Sequence, residues 1–415
     1  MTKRIWIINE HLTSPDLSEN GHSRHFTLGT EFLKHGYDVT LITSSFSHNP
    51  KRKVGLIGLM KVLKGALPTL IIKGFAHENS SSIIRIINWV LFSALLFFAP
   101  FSRISKPDII ILSSTPMIPV YNVLFFKLIY PNCKFIFETR DLWPMTPKSI
   151  GNYSDKSLFI RILTHLEYKC YSKADYIVSV LKNSDKHIES VLGSKKFNFK
   201  WISNGIDLKG FAGIQKEKDW GFKGKMFNEN AFIIGYAGTL GNANAMEFII
   251  EAFNDFFAGS NCYLVLLGEG GEKQNLIEKA KGNNNIVFLE SVKRESLNSF
   301  YQQCDVLYLS WRNVDLYKFG VSANKLFEYM YSQTPILMSC NIPDNIIEEA
   351  NCGLVTKAED SLSIKEKIHE FRNLSSMERS QLGKNGYSYV IAQLTYEKLA
   401  KEYMKVFDEL NQDLN

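Results

Sequence analysis

The 415-residue sequence contains no Cys-x-x-Cys pair, and its six cysteines (Cys133, Cys170, Cys262, Cys304, Cys340, Cys352) stand apart from any paired histidine spacing. Neither a zinc site nor a disulfide framework is suggested, and a reducing compartment fits. It contains no Asp-x-Asp, no internal repeat and no low-complexity tract. It also lacks a nucleic-acid recognition module, and its basic residues are interleaved with Gly, Leu and Ile rather than with stacking aromatics, so nucleic acid is disfavoured as a partner. The apolar stretch over residues 86–101, fenced by Arg85 and Arg103, is sixteen residues long, short of the roughly 20 that a membrane-spanning helix requires. It reads as a buried helix, with an interfacial helix or a true span as alternatives. At the start, Met1-Thr2-Lys3-Arg4 runs straight into Ile5-Trp6-Ile7-Ile8. That apolar run is too short for a signal peptide and predicts a first buried strand.

What is present is ample core material. Hydrophobic residues make up 45% of the chain and charged residues 22%, and the length favours two α/β domains over one. The formal charge of +6 is unevenly placed: Lys51, Arg52, Lys53, Lys61, Lys64 and Lys73 precede the next acid, Glu78. Such a stretch suits an anionic lipid surface.

Short β-rich runs alternate with amphipathic stretches. Residues 5–8, a helical pattern through Phe26, Leu28, Phe32 and Leu33, and residues 39–43 form a βαβ opening. Runs at 109–112, 135–137, 176–180 and 199–202 are continuously apolar, as in strands of a parallel sheet covered on both faces. After a polar, Gly- and Lys-rich segment at 205–230, the alternation restarts at 232–236, 263–267, 286–289 and 306–309. The expected organisation is an N-terminal domain over 1–204 and a second over 205–379, with helices from about 380 to 415 crossing back to the first. Open α/β sheets of this kind bind ligands beyond the carboxyl ends of their strands.

One segment stands out chemically: Tyr317-Lys-Phe-Gly-Val-Ser-Ala-Asn-Lys-Leu-Phe-Glu-Tyr-Met330. It predicts a Gly-bearing loop, a capping region at Ser322 and Asn324, and a helix starting near Ser322. A helix start with Lys325 in its first turn makes an anion site suited to a pyrophosphate. Glu328 sits three residues further on, so two readings stand: an intrahelical ion pair with Lys325, or a carboxylate free to accept the hydroxyls of a ribose. Glu138-Thr-Arg140-Asp141-Leu-Trp143-Pro144 follows a buried-type strand, where side chains are offered to a ligand; Arg140 and Asp141 also read as a structural ion pair. Gly21 permits close backbone approach or marks a simple turn, and His22 and His25 have surface positions as their plain alternative.

Ser-Ala-Asn-Lys-Leu-Phe-Glu-Tyr-Met, followed by Thr334-Pro335-Ile336, resembles the donor-site signature of the retaining glycosyltransferase family 4, in particular its capsule and O-antigen, fucosamine-transferase-like branch. Leu264-Val-Leu-Leu-Gly268-Glu-Gly270, Ser203-Asn204-Gly205-Ile206-Asp207, the passage from Leu166 to Ile177, and Gly21-His-Ser-Arg-His25 resemble further elements of that family in order, and Arg140-Asp141-Leu-Trp-Pro is similar to its surface-polysaccharide form. Two positions depart from it. Gly320 stands where the family carries an acid, and after Gly238-Thr239 the expected Arg and Lys are replaced by Thr239 and Ala245 or their neighbours.

The resemblance implies a GT-B fold, two Rossmann-like doubly wound domains facing a cleft. It implies transfer of a sugar with retention, from a nucleotide-diphosphate donor, UDP by analogy, to a lipid-linked saccharide. Donor contacts would come from Glu328, Lys325, Asn324, Ser322, Gly320, Gly268, Gly238 and Thr239. Asp141, Arg140 and Lys325 would serve catalysis, and Gly21 and His25 an acceptor or phosphate loop. No cofactor and no metal are expected, and the expected place is the inner face of the cell membrane, as a peripheral cytoplasmic protein. A nucleotide-sugar epimerase and a non-catalytic membrane-associated sugar-binding scaffold are the alternatives.

Overall fold

The computed structural model describes residues 2–17, 23–46, 58–76, 83–151, 153–208 and 226–412. The chain divides into two compact units, residues 1–203 with 396–415, and residues 204–395.

In the first unit, β1 (Arg4–Ile8), β2 (Asp38–Ser44), β3 (Met60–Leu63), β4 (Thr69–Ile72), β5 (Ile109–Ser113), β6 (Lys134–Thr139), β7 (Tyr176–Ser179) and β8 (Phe199–Trp201) form one sheet in the order β3-β4-β2-β1-β5-β6-β7-β8. All neighbours are parallel except β3, which runs antiparallel to β4. The central strands are buried on both faces, which is why they read as unbroken apolar runs. The β3–β4 pair was not anticipated. It occupies part of the basic stretch and carries Lys61 on β3, while Lys51, Arg52 and Lys53 lie outside the described residues.

Helix Ile83–Leu96 corrects the reading of 86–101 as a wholly buried helix. It buries Trp89, Phe92 and Leu96 against the sheet core but leaves Ile83, Ile86, Ile87 and Val90 exposed. Among the described residues no helix is long and apolar enough to cross a membrane.

The second unit holds β9 (Phe232–Ala237), β10 (Cys262–Leu267), β11 (Ile286–Leu289), β12 (Val306–Ser310), β13 (Ile336–Ser339) and β14 (Gly353–Thr356), all parallel, in the order β11-β10-β9-β12-β13-β14. This is the doubly wound order in which the chain builds outward from β9 to one side and then restarts at β12 on the other. Helices Glu247–Phe256 and Ser361–Asn373 pack on it through Ile249, Ile250, Phe253, Ile364, Ile368 and Phe371.

The expected return of the chain from about 380 falls later. Helix Ser376–Gln393 stays in the second unit, where its buried residues Gly383, Gly386 and Val390 let it pack closely on helix Asn324–Tyr331. Only helix Tyr396–Gln412 belongs to the first unit. Tyr403 and Phe407 pack there on Phe32 of helix Arg24–Lys34.

That return is fixed by a buried ionic cluster. Glu138, near the end of β6, is 0% exposed. Its Oε1 takes His25 Nε2 at 2.9 Å and the Ser113 hydroxyl at 3.1 Å. Its Oε2 takes Arg24 Nε at 3.3 Å and the Tyr403 hydroxyl. Arg24 also donates to the carbonyls of Ile202 and Ser203, the last residues before the second unit. Burial opposes ionisation of Glu138, but Arg24, His25 and Tyr403 hold its carboxyl well below the usual range. His25 was expected in an acceptor or phosphate loop. It lies instead in the first turn of helix Arg24–Lys34, buried, and desolvation lowers its pKa against the pull of Glu138.

Glu138→Gln leaves Arg24 buried without its counter-charge and is expected to cost about 3–5 kcal/mol, read as a shift in urea denaturation; a loss under 1 kcal/mol would sink the idea that this cluster holds the first unit together. The pH response has a definite sign. The folded state keeps His25 neutral below 6.5 while the unfolded chain takes up the proton, so stability falls as pH drops through that window. The Glu138 contribution persists above its unfolded value of 4.5 and is lost only as pH falls through the much lower folded value. His25→Asn is expected to flatten the slope below pH 6.5, measured as denaturation midpoint against pH.

Candidate active site

In the second unit the candidate residues gather at the carboxyl ends of β9, β10 and β12, beside the switch point of the sheet. Gly238 and Thr239 follow β9, and Gly268 follows β10. Gly268 has φ +147°, and a Cβ there would lie 2.0 Å from the Gly238 carbonyl oxygen. A side chain would separate the two strand ends, so glycine is required for their approach.

After β12 a single 3-10 turn, Asp315–Phe319, leads to Gly320 at φ +105°. That conformation strains any residue with a Cβ, which gives a backbone reason for glycine where the resembling family carries an acid. Helix Asn324–Tyr331 follows, starting two residues later than the expected Ser322. Its N-cap is Ala323, with no side-chain cap, so no side chain satisfies the first-turn N–H groups. Ser322 is engaged elsewhere: its hydroxyl accepts from the Asn204 N–H at 2.9 Å, and its carbonyl accepts from the Asn204 side-chain amide at 2.6 Å. Asn324 is exposed.

The ion pair between Lys325 and Glu328 does not form. Lys325 Nζ donates to the Tyr236 hydroxyl at 2.7 Å and lies 4.3 Å from the centre of that ring. It pairs with no described carboxylate, and a Cβ on Gly238 would come within 2.7 Å of it. Desolvation pushes Lys325 down to about 8, with Glu328 pulling the other way. Glu328 accepts from Arg294 Nη2 at 3.0 Å and from the Tyr301 hydroxyl at 3.2 Å.

Tyr329, one residue on, locks the helix to β9. Its hydroxyl accepts from the Ala237 N–H at 2.8 Å and donates to the Ala237 carbonyl at 3.2 Å, and its ring meets Tyr301 edge-on at 4.9 Å. Arg294, Tyr301, Tyr236 and Tyr329 were missed in the sequence. An arginine or tyrosine at a helix or strand end carries no mark of the partner it meets across the fold. Chemically the arrangement is a desolvated cation beside a helix start and two strand ends, with a held carboxylate one turn away, a combination suited to an anion with hydroxyl groups near it.

In the first unit, Arg140 and Asp141 follow β6. They do not pair as an ion pair; the Arg140 N–H donates to Ser114 Oγ at 2.9 Å, and its side-chain Nε is buried without a partner. Asp141 is exposed at its surface, yet crowding by protein raises its carboxyl above the usual range, against the pull of Arg140 and Arg85. Arg85 itself lies over the rings of Trp89 and Trp143. Gly21 and His22 lie outside the described residues.

Residues 222–389 match the family described as "Glycosyl transferases group 1". The fold is that of GT-B glycosyltransferase structures, and the family match is confined to that segment of the second unit. An uncharacterized glycosyltransferase of Methanocaldococcus jannaschii is 25% identical over 249 residues, 58% of this chain, and the match spans 60% of that relative's length. Among solved structures, sucrose-phosphate synthase from Thermosynechococcus elongatus superposes with a TM-score of 0.72 at 15% identity, over 99% of this chain and 100% of that one. A trehalose-6-phosphate protein from E. coli bound with UDP-2-fluoro glucose gives 0.71 at 11% identity, over 99% of each. HepE from Anabaena in complex with UDP gives 0.65 at 12%, over 98% of this chain and 100% of that one. These three likenesses establish the fold.

The depressed Lys325 pKa carries its own prediction. Between about 8 and 10.5 the unfolded chain binds a proton that the folded one has lost, so stability rises with pH across that window. Lys325→Met is expected to remove this rise, seen by comparing guanidinium midpoints at pH 7 and pH 10. Parallel behaviour of variant and wild type would refute the burial of an unpaired cation.

Proposed function

We propose that this chain transfers a sugar, with retention of anomeric configuration and without a metal, from a UDP-linked donor to a lipid-linked saccharide in the assembly of a surface polysaccharide such as capsule or O-antigen. The observation that carries the reading is Lys325, a desolvated cation with a phenol as its partner, set in the first turn of a helix at the switch point of a doubly wound sheet. A diphosphate supplies the missing counter-charge and takes the first-turn N–H groups. The close approach of Gly238 and Gly268 keeps Cβ atoms away from its path. Glu328, steadied by Tyr301 and Arg294, accepts the ribose hydroxyls. The UDP present in the Anabaena HepE structure agrees with this choice of nucleotide.

In the reaction the acceptor oxygen attacks the anomeric carbon on the face from which the diphosphate leaves. The bond from that carbon to the phosphate oxygen breaks with its electron pair on the leaving group, and the acceptor proton ends on that phosphate. Lys325 and the helix start stabilise the charge that grows there. With no Asp-x-Asp in the chain, neutralisation falls to these groups.

The test is calorimetric titration of UDP, followed by turnover of a panel of UDP-, GDP- and dTDP-sugars with and without EDTA and an undecaprenyl-diphosphate-sugar acceptor. UDP binding is expected to weaken by about 1.5–3 kcal/mol, roughly ten- to hundredfold, in Glu328→Ala. Binding to the wild type is expected to weaken as pH rises past about 8, where Lys325 loses its proton, and that dependence vanishes in Lys325→Met. EDTA is expected to leave turnover unchanged, and the product is expected to keep the donor's anomeric configuration by NMR. Absence of nucleotide binding would favour the sugar-binding scaffold; interconversion of free UDP-sugars without acceptor would favour the epimerase.

A further inference from the structure

Three helices of the first unit lie side by side, Ile83–Leu96, Val120–Ile129 and Leu158–Lys173. Phe97, just past the first, meets Phe125 with ring centres 5.4 Å apart, and the Tyr121 hydroxyl is 3.0 Å from His165 Nε2. Each helix turns an apolar stripe outward at helical spacing: Ile83, Ile87 and Val90 on the first; Tyr121, Phe125 and Leu128 on the second; Leu158 and Ile162 on the third. Several of these are nearly as exposed as a side chain can be, with Leu128 at 80%, Ile83 at 73% and Leu158 at 71%, and Phe98 beside them at 77%. Isolated exposed apolar residues are ordinary, but a continuous field of them marks an interaction surface.

The exposed charges on these helices are of one sign. Their sequences contain Arg85, Lys127, Arg161, Lys169 and Lys173 against a single acid, Glu167. Glu167 is buried and held by His187 at 2.7 Å. Lys127 is paired with Asp175. Arg161 and Lys173 are exposed, and Lys169 and Lys173 continue the stripe begun by Leu158 and Ile162. Between the second and third helices lies a cavity of about 530 Å3 lined by Tyr121, Leu124, Phe125, Lys127, Leu128 and Lys173, apolar walls with two ammonium groups.

We propose that this three-helix face docks on an anionic lipid bilayer, with Leu128, Leu158 and their neighbours entering the acyl boundary and Arg161, Lys169 and Lys173 meeting the headgroups. The charge decides between occupants. A second copy of the same face would bring like charges together, whereas anionic headgroups complement them. The inference rests for its purpose on the reading of a membrane-held acceptor, but it uses none of the donor-site residues. Of the two segments that the sequence suggested, it uses the apolar one, helix Ile83–Leu96, and adds two further helices in place of the basic stretch.

The experiment is flotation of the full chain with vesicles of phosphatidylcholine alone and of phosphatidylcholine with phosphatidylglycerol, at low and high salt. Binding to the anionic vesicles is expected to exceed binding to the neutral ones at least tenfold and to fall with salt. Leu128→Asp with Leu158→Asp is expected to lower it at least tenfold, and Lys169→Glu with Lys173→Glu to lower it and remove most of its salt dependence. All four positions lie on the surface, and an unchanged denaturation midpoint and UDP affinity verify that the variants fold. The proposal is overturned if the wild type ignores anionic vesicles, if the paired variants float as the wild type does, or if the apolar substitutions abolish a dimer instead. Vesicle binding without UDP binding would sink the donor reading and leave this surface standing.

Discussion

A single buried carboxylate organises the first unit. Glu138 accepts hydrogen bonds from the first helix, from β5 and from the C-terminal helix, and its partner Arg24 holds the carbonyls at which the chain leaves the unit. A charge with no exposure is tolerable only when its lone pairs are filled and a counter-charge lies against it. Each of those requirements ties down a different element. The cluster therefore sets the position of β6, and with it Arg140 and Asp141 at its carboxyl end, and gives the chain a reason to bring Tyr403 back across 265 residues of sequence.

The second unit follows a different logic, in which aromatic hydroxyls reach each key group of the site and one ion pair, Arg294 with Glu328, stands beside them. Tyr329 clamps the candidate helix to the end of β9, Tyr301 steadies Glu328, and Tyr236 receives Lys325. Burying phenols this way fixes side chains without supplying a counter-charge. The ammonium of Lys325 thus stays desolvated and unpaired with any described carboxylate, which favours an anionic ligand more strongly than a solvated lysine would. Where Glu138 meets a buried counter-charge, Lys325 meets a phenol.

Much of the fold class is legible in the chain. Runs such as Ile109–Ser113 and Phe232–Ala237 are continuously apolar because both faces of each strand are covered. The β3–β4 pair was not legible, since its residues are mixed and Lys-bearing and its pairing is an edge arrangement. The place of helix Ser376–Gln393 in the second unit is not legible either, because its contact surface is a pair of glycines that leave no apolar stripe to read. Residues 86–101 looked like one object and proved to be a helix with two different faces, a distinction that composition cannot make.

The candidate site divides along the same line. Ser322, Asn324, Lys325 and Glu328 are adjacent in sequence, and helical spacing suggested a partner for Glu328 that the fold does not use. The sequence by itself determined which segments become buried parallel strands and which stretch opens a helix after a glycine loop, because local apolar content and backbone preference act over a few residues. Tertiary structure alone decided the partners and the charge of the key groups. Lys325 meets a tyrosine 89 positions away and Glu138 a tyrosine 265 positions away, and desolvation and pairing depend on what surrounds a group in space.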